Sequence, residues 1–132
     1  MRFDRDRIER PWGWFEILHE DLACKTKLIH LNPGQKTSLQ SHEKRQETWT
    51  ITEGVGQVYM SKNMSWGEET NYYPLKAGES VVIPVNMIHR IINTGDKPLR
   101  LIEVQTGKSF EEEDITRYQD DYGRACEAPP PA

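Results

Sequence analysis

The sequence predicts a single all-β domain, a sandwich or barrel of short strands, and three observations predict it. Turn signals recur about every ten residues, at Asn32-Pro33-Gly34, at 53–56, at Lys76-Ala77-Gly78, at 84–87 and at 93–97. The segments between them are short and apolar or alternate apolar with polar residues, and no long helical period appears anywhere. At 132 residues, 36% hydrophobic and 29% charged, the chain suits one domain able to bury its own core.

Taken in order, residues 1–10 alternate Arg, Asp and Glu and are expected as a short helical turn or an ordered arm, ended by Pro11. Residues 14–18 suit a first strand. Residues 23–31 suit a better one, with Lys25, Lys27 and Ile29 on one face and Cys24, Thr26, Leu28 and His30 on the other. Residues 37–41 and 47–52 are two strand arms around a polar turn, and 57–60 returns from the turn at Gly54. Residues 61–69 read as a hairpin loop and 70–75 as the strand that leaves it. Residues 80–83 and 88–92 are short apolar strands, and 98–106 is an alternating one. Residues 110–114 are expected as a short helical turn and 115–123 as a segment lying back over the barrel. The domain is expected over residues 1–124, with a disordered tail over 125–132 ending in three prolines.

Composition excludes several classes of function. A net charge of −4 argues against a nucleic-acid surface, which needs clustered positive charge. No apolar run approaches the ~20 residues that span a bilayer, so no membrane partner is expected. The charged N-terminus lacks the apolar core of a signal peptide, which makes the cytoplasm the expected location. Cys24 and Cys126 are the only cysteines, and in a reducing compartment both read as incidental thiols.

The chemistry concentrates between Gly34 and Gly54. Gln40 and His42 are two apart and share one face of a strand, and Glu47 follows a polar turn. Further on, between Gly78 and Asn93, His89 offers a fourth ligand. Gln40, His42, Glu47 and His89 together supply one amide oxygen, one carboxylate and two imidazoles. That set suits one divalent ion, Zn²⁺ first and Mn²⁺, Fe²⁺, Co²⁺ or Ni²⁺ as alternatives. His19 and His30 lack such a context and read as ordinary surface or strand histidines. Trp49 and Ile51 read as core, and Trp12 and Trp14 as cover for a barrel end or a subunit contact.

The spacing Gly34, Gln40, His42, Glu47, Gly54 resembles the first motif of the cupin family. The spacing Gly78, Pro84, Asn86, His89, Asn93 resembles the second, with Asn86 where glycine is usual. The strings RPWGWFEIL (10–18), PGQKTSLQSH (33–42), IPVNMIHRIIN (83–93), LIEVQTG (101–107) and EEDITRYQDDYGR (112–124) resemble the type II mannose-6-phosphate isomerase cupin. That domain also occurs as the C-terminal half of bifunctional mannose-1-phosphate guanylyltransferases. The family's histidine-rich run is replaced by Glu43 and Lys44, and its histidine before the Trp by Thr48.

The resemblance implies a cupin jelly roll, a homodimer, and isomerisation of mannose 6-phosphate to fructose 6-phosphate through an enediol. Glu103 is the expected base if its face looks inward, with Gln105 beside it at the substrate. An exposed alternation position is an equal reading of Glu103. Lys36, Arg45 and Arg90 are the expected phosphate cations, Arg90 foremost because the family pattern places an Arg after the second-motif His. Two other readings compete. One is a non-catalytic metal-holding cupin that senses a sugar or nucleotide sugar. The other is an Fe²⁺ dioxygenase, against which Gln40 counts because such enzymes prefer three histidines.

Overall fold

The structure, a computed structural model, describes residues 6–62 and 71–119. The loop expected at 61–69 lies outside them from residue 63 on, its first residue Ser61 instead ending a strand, and the residues after 119, with the tail at 125–132, lie outside them too. The described strands are β1 (Arg7–Arg10), β2 (Gly13–Glu20), β3 (Cys24–Leu31), β4 (Leu39–His42), β5 (Arg45–Glu53) and β6 (Val55–Ser61), followed by β7 (Tyr72–Lys76), β8 (Ser80–Ile83), β9 (Ile88–Ile92), β10 (Leu99–Gly107) and β11 (Ile115–Gln119). They form two antiparallel sheets of a jelly roll. One has the order β1-β2-β3-β10-β5-β8 and the other β11-β4-β9-β6-β7. Among the described residues no helix is long and apolar enough to cross a membrane.

Period-two alternation places the core. On β10, Leu99, Leu101, Glu103 and Gln105 are buried while Arg100, Ile102 and Val104 are half-buried on the outer face. On β5 the same holds for Glu47, Trp49 and Ile51 against Thr48 and Thr50. Trp12, Phe15, Ile29, Leu31, Trp49, Ile51, Val58, Ile83, Ile91, Leu99 and Leu101 fill the space between the sheets. Trp12 therefore covers the core, as expected. Trp14 points to the outer face of the larger sheet, where it stacks on His30 at 4.7 Å between centroids. The guanidinium of Arg7 lies 3.9 Å from the Trp14 ring centre.

Two expectations change. Residues 7–10 are a strand rather than a helical turn: they form a hairpin with β2, Arg7 opposite Glu16 and Arg10 opposite Gly13. Tertiary pairing decides here, helped by the Arg7–Glu16 contact at 3.3 Å. Residues 115–119 do not merely lie over the domain. They join the smaller sheet as its edge, with Ile115 opposite His42 and Arg117 opposite Gln40. The acidic turn before them is the single 3₁₀ turn Glu112–Asp114.

The two motif glycines behave as turn residues. Gly34 has φ 76° and Gly78 φ 92°, both in the left-handed region that costs glycine little. Asn86, at the usual glycine position, has φ 64°. Asparagine is among the few other residues that tolerate this conformation, so the turn survives the exchange.

Candidate metal centre

Three strands from two sheets bring the imidazoles and the carboxylate together. β4 carries His42, β5 carries Glu47 and β9 carries His89, and one ligand atom from each lies within 4.8 Å of the others. His42 Nε2 is 3.1 Å from Glu47 Oε2, and His89 Nε2 is 3.5 Å from Glu47 Oε1. All three side chains are buried, at 2%, 2% and 0% exposure.

The hydrogen-bond pattern around them fits a cation. His42 Nε2, Glu47 Oε1 and His89 Nε2 are buried and make no hydrogen bond. The short His42–Glu47 separation is thus a close approach without hydrogen-bond alignment. Buried polar atoms are almost always satisfied, so three orphans converging on one point indicate a missing shared partner. His89 Nδ1 lies 2.9 Å from the Met87 carbonyl. It donates there, which leaves the lone pair on Nε2, facing Glu47. Arg45 donates through Nε to Glu47 Oε2 at 3.0 Å and steadies the carboxylate. Two imidazole nitrogens and a carboxylate oxygen suit a divalent ion of the zinc type.

Electrostatics keep these groups in ligand form. Burial lowers the pKa of His42, against the opposing pull of Glu47, so the imidazole is held neutral. For Glu47, burial alone would raise the pKa, but the facing imidazoles of His42 and His89 outweigh it and hold the carboxyl well below its usual range.

Gln40 is half-buried on β4, directly opposite His89 in the register, and its Oε1 accepts a hydrogen bond from Ser38 Oγ at 3.2 Å. Glu43 and Lys44 are exposed, and their amides donate to Asp114 Oδ1 and Oδ2 at 3.1 and 3.0 Å. Thr48 faces outward, between Val104 and Val82 in the register. The three positions that depart from the family's histidines therefore do not belong to the His42–Glu47–His89 cluster.

A cavity of about 80 Å³, enough for a few water-sized groups, opens beside the cluster. Gln40, Arg45, Glu47, Trp49, Glu103 and Gln105 line it. Glu103 faces inward and is 5% exposed. Its Oε2 accepts the indole N–H of Trp49 at 3.0 Å and its Oε1 accepts Gln105 Nε2 at 2.6 Å. Burial, reinforced by the charge of Glu47, pushes its pKa up to about 7. Gln105 Oε1 is buried without a partner.

Of the three expected phosphate cations, only Arg45 lines this cavity. Arg90 shares the face of Ile88, opposite to His89, and donates through Nε to the Thr37 carbonyl at 3.0 Å. Lys36 bridges to Ile92 outside the cavity. Lys27, Arg10 and Arg117 do line it and went unrecognised in the sequence. The signal for Lys27 was its place on one strand face with Ile29. A second grouping, His19, Asp21 and Cys24, lies on the exposed β2–β3 turn. There Asp21 is already occupied by the amides of Ala23 and Cys24 and by His19.

A jelly roll with a buried His-Glu-His cluster between its sheets defines a cupin with a candidate metal centre. A family model described as "Mannose-6-phosphate isomerase C-terminal" matches residues 3–120, and the chain belongs to that family. The xanthan biosynthesis protein XanB of Xanthomonas campestris pv. campestris is 37% identical over 118 residues, which cover 89% of this chain and 24% of that protein. The mannose-1-phosphate guanylyltransferase ManC of Salmonella typhimurium is 33% identical over 117 residues, 89% of this chain and 23% of that protein. The chain thus spans about a quarter of the length of the curated relatives it matches. Among solved structures, the capsular polysaccharide assembling protein CapF from Staphylococcus aureus shares the fold, with TM-score 0.73 and 16% identity over 89% of this chain and 35% of that one.

Proposed function

We propose that the protein is a metal-dependent isomerase that interconverts mannose 6-phosphate and fructose 6-phosphate. The observation that carries the reading is Glu103, a buried carboxylate with a raised pKa lining the cavity beside the His42–Glu47–His89 cluster, in a chain of this family. His42, Glu47 and His89 would hold the ion, with Gln40 as a fourth ligand. When bound, a divalent ion supplies Lewis-acid polarisation of a carbonyl or hydroxyl oxygen.

The remaining chemistry falls to the chain's own residues. Glu103 takes the proton from C2 of the open-chain aldose; that electron pair forms the C1=C2 double bond as the C1=O1 π pair moves onto O1, and the proton leaving the O2 hydroxyl passes to O1 through the enediol. The same carboxyl returns its proton to C1 while O2 becomes the ketose carbonyl, so protons and electrons balance. Trp49 and Gln105 hold Glu103 in place, and the unpartnered Gln105 Oε1 accepts a substrate hydroxyl. Because the cavity holds only a few water-sized groups, the carbonyl end of the sugar occupies it and the rest lies in its mouth. Work in the cytoplasm and pairing of two copies complete the reading.

The test is an assay of fructose 6-phosphate formed from mannose 6-phosphate by protein loaded in turn with Zn²⁺, Mn²⁺, Fe²⁺, Co²⁺ and Ni²⁺. Turnover that chelation removes is expected. Absence of turnover with every ion overturns the reading.

A further inference from the structure

The cavity beside the cluster is closed too tightly for a ligand. Its volume is about 80 Å³, whereas pockets that take up small molecules run from about 300 Å³ upward. Its walls differ in how firmly they are held. On the larger sheet, β10 is paired with β3 on one side and with β5 on the other, and Leu99 and Leu101 anchor it in the core. On the smaller sheet the wall ends at β11, an edge strand whose one neighbour in the sheet is the short β4. Ile115 and Arg117 of β11, and Glu112 just before it, line the cavity.

Residues 108–118 are held down largely by polar contacts with residues 41–45. The Lys108 amide donates to the Lys44 carbonyl at 2.7 Å. Arg45 Nη1 donates to the Glu111 carbonyl at 3.4 Å, while its Nε holds Glu47. Asp114 accepts the amides of Glu43 and Lys44, and both bonds are exposed, where water competes for them. The hydroxyls of Ser41 and Tyr118 meet at 2.9 Å. Among the described residues, the core between the sheets draws no member from 108–118. Tyr118 packs only on the smaller cluster of Leu39, Tyr59 and Ile88. An edge segment with exposed polar ties and little buried apolar surface opens at a lower free energy than the core strands beside it.

We propose that residues 108–118 are a gate. β11 and the turn before it swing away from residues 41–45 to admit a ligand, then return and close the cavity over it. Closure shields the reacting carbons from water. The inference goes beyond the isomerase reading, because the same opening admits any ligand larger than a few waters and is a property of the chain before a ligand arrives.

A reversible lock tests it. Thr116 of β11 lies opposite Ser41 of β4. Both point away from the cavity, since their neighbours Ile115, Arg117 and Gln40 line it. Facing positions of an antiparallel pair are about 4.5–5.5 Å apart at Cα, within the span that a disulfide bridges. The full chain carrying Ser41→Cys and Thr116→Cys, with Cys24→Ser and Cys126→Ser, is locked by oxidation and freed by reduction. Asp114→Ala loosens the gate without touching a residue that lines the cavity.

In hydrogen exchange of the metal-free wild type, the amides of 115–118 are expected to exchange roughly tenfold or more faster than those of β10, and faster again in Asp114→Ala. In the zinc-loaded chain, release of zinc to a chelator is expected to slow roughly tenfold on oxidation and to recover on reduction. Turnover of mannose 6-phosphate should fall and recover with it. Protection of β11 equal to that of β10, or zinc release that oxidation leaves unchanged, overturns the gate. Turnover that oxidation leaves unchanged also overturns it and leaves the isomerase standing. Zinc release that follows the lock, in a protein that never turns over, keeps the gate and sinks the isomerase.

Discussion

His42 Nε2 stands 3.1 Å from Glu47 Oε2, yet no aligned hydrogen bond joins the two, and Oε2 accepts instead from Arg45 Nε at 3.0 Å. Both are turned toward a point they share with His89. A shared point of this kind gives the cluster an obligation to a cation, and the obligation is measurable. His89→Ala is expected to abolish metal retention, read as moles of metal per mole of protein by elemental analysis. In the wild type, a metal at a hundred to a thousand times its dissociation constant should stabilise the fold by about 3–4 kcal/mol. Chelation should therefore lower Tm by roughly 10 °C. Wild-type metal content in His89→Ala would refute the ligand assignment.

Glu103→Gln keeps the size of the side chain and removes its basicity. If Glu103 moves the proton, kcat should fall by about 10²- to 10⁴-fold, with metal content unchanged. In the metal-free protein the same residue leaves a signature in stability. Its folded pKa of about 7 lies above the ordinary carboxyl value of 4.5, so its contribution is complete below pH 4.5 and is lost as pH rises to about 7. That component of a Tm–pH profile should vanish in Glu103→Gln.

His30 predicts the opposite slope on the other side of the same sheet. Burial, then the charges of Arg100 and Arg7, lower its pKa from 6.5. Its contribution is complete above pH 6.5 and is lost as pH falls from there toward the folded value. Tm should drop across that window in wild type and drop less in His30→Gln. Parallel profiles would mean that Arg100, which donates to His30 Nδ1 at 3.0 Å, relaxes away when the ring charges.

Much of the site was legible in spacing. Turn glycines and period-two alternation placed His42, Glu47 and His89 on inward faces of three strands, because a strand fixes side-chain direction residue by residue. The same rule shows why Arg90 was misplaced: the neighbour of an inward residue points outward, so adjacency in sequence separates it from His89. Lys27 was hidden for a different reason. Lysine is seldom buried, and only the surrounding strands reveal that its face is interior. The pairing of β11 with β4 had no local signal at all, since it joins segments more than seventy residues apart.

Asn86 offers a test of backbone strain at the motif. Its φ of 64° is left-handed, and its amide donates to the His42 carbonyl at 2.7 Å. Asn86→Gly should hold or raise stability. Asn86→Ala should cost about 1 kcal/mol, and Asn86→Val more. Chemical denaturation of the three variants checks the order, and equal midpoints would count against the strain argument.

The clamp of Asp114 on the amides of Glu43 and Lys44 has a consequence for how the protein is made. The two ends of the Glu43 bond are 71 residues apart in the chain. At ~5–20 residues per second, a ribosome leaves the turn without its clamp for roughly 4–14 s. Through that interval β4 is a nascent edge with no neighbour on its outer side, and an unpaired edge invites pairing with other chains. Synthesis speed and chaperone cover between β4 and β11 therefore bear directly on the yield of folded protein.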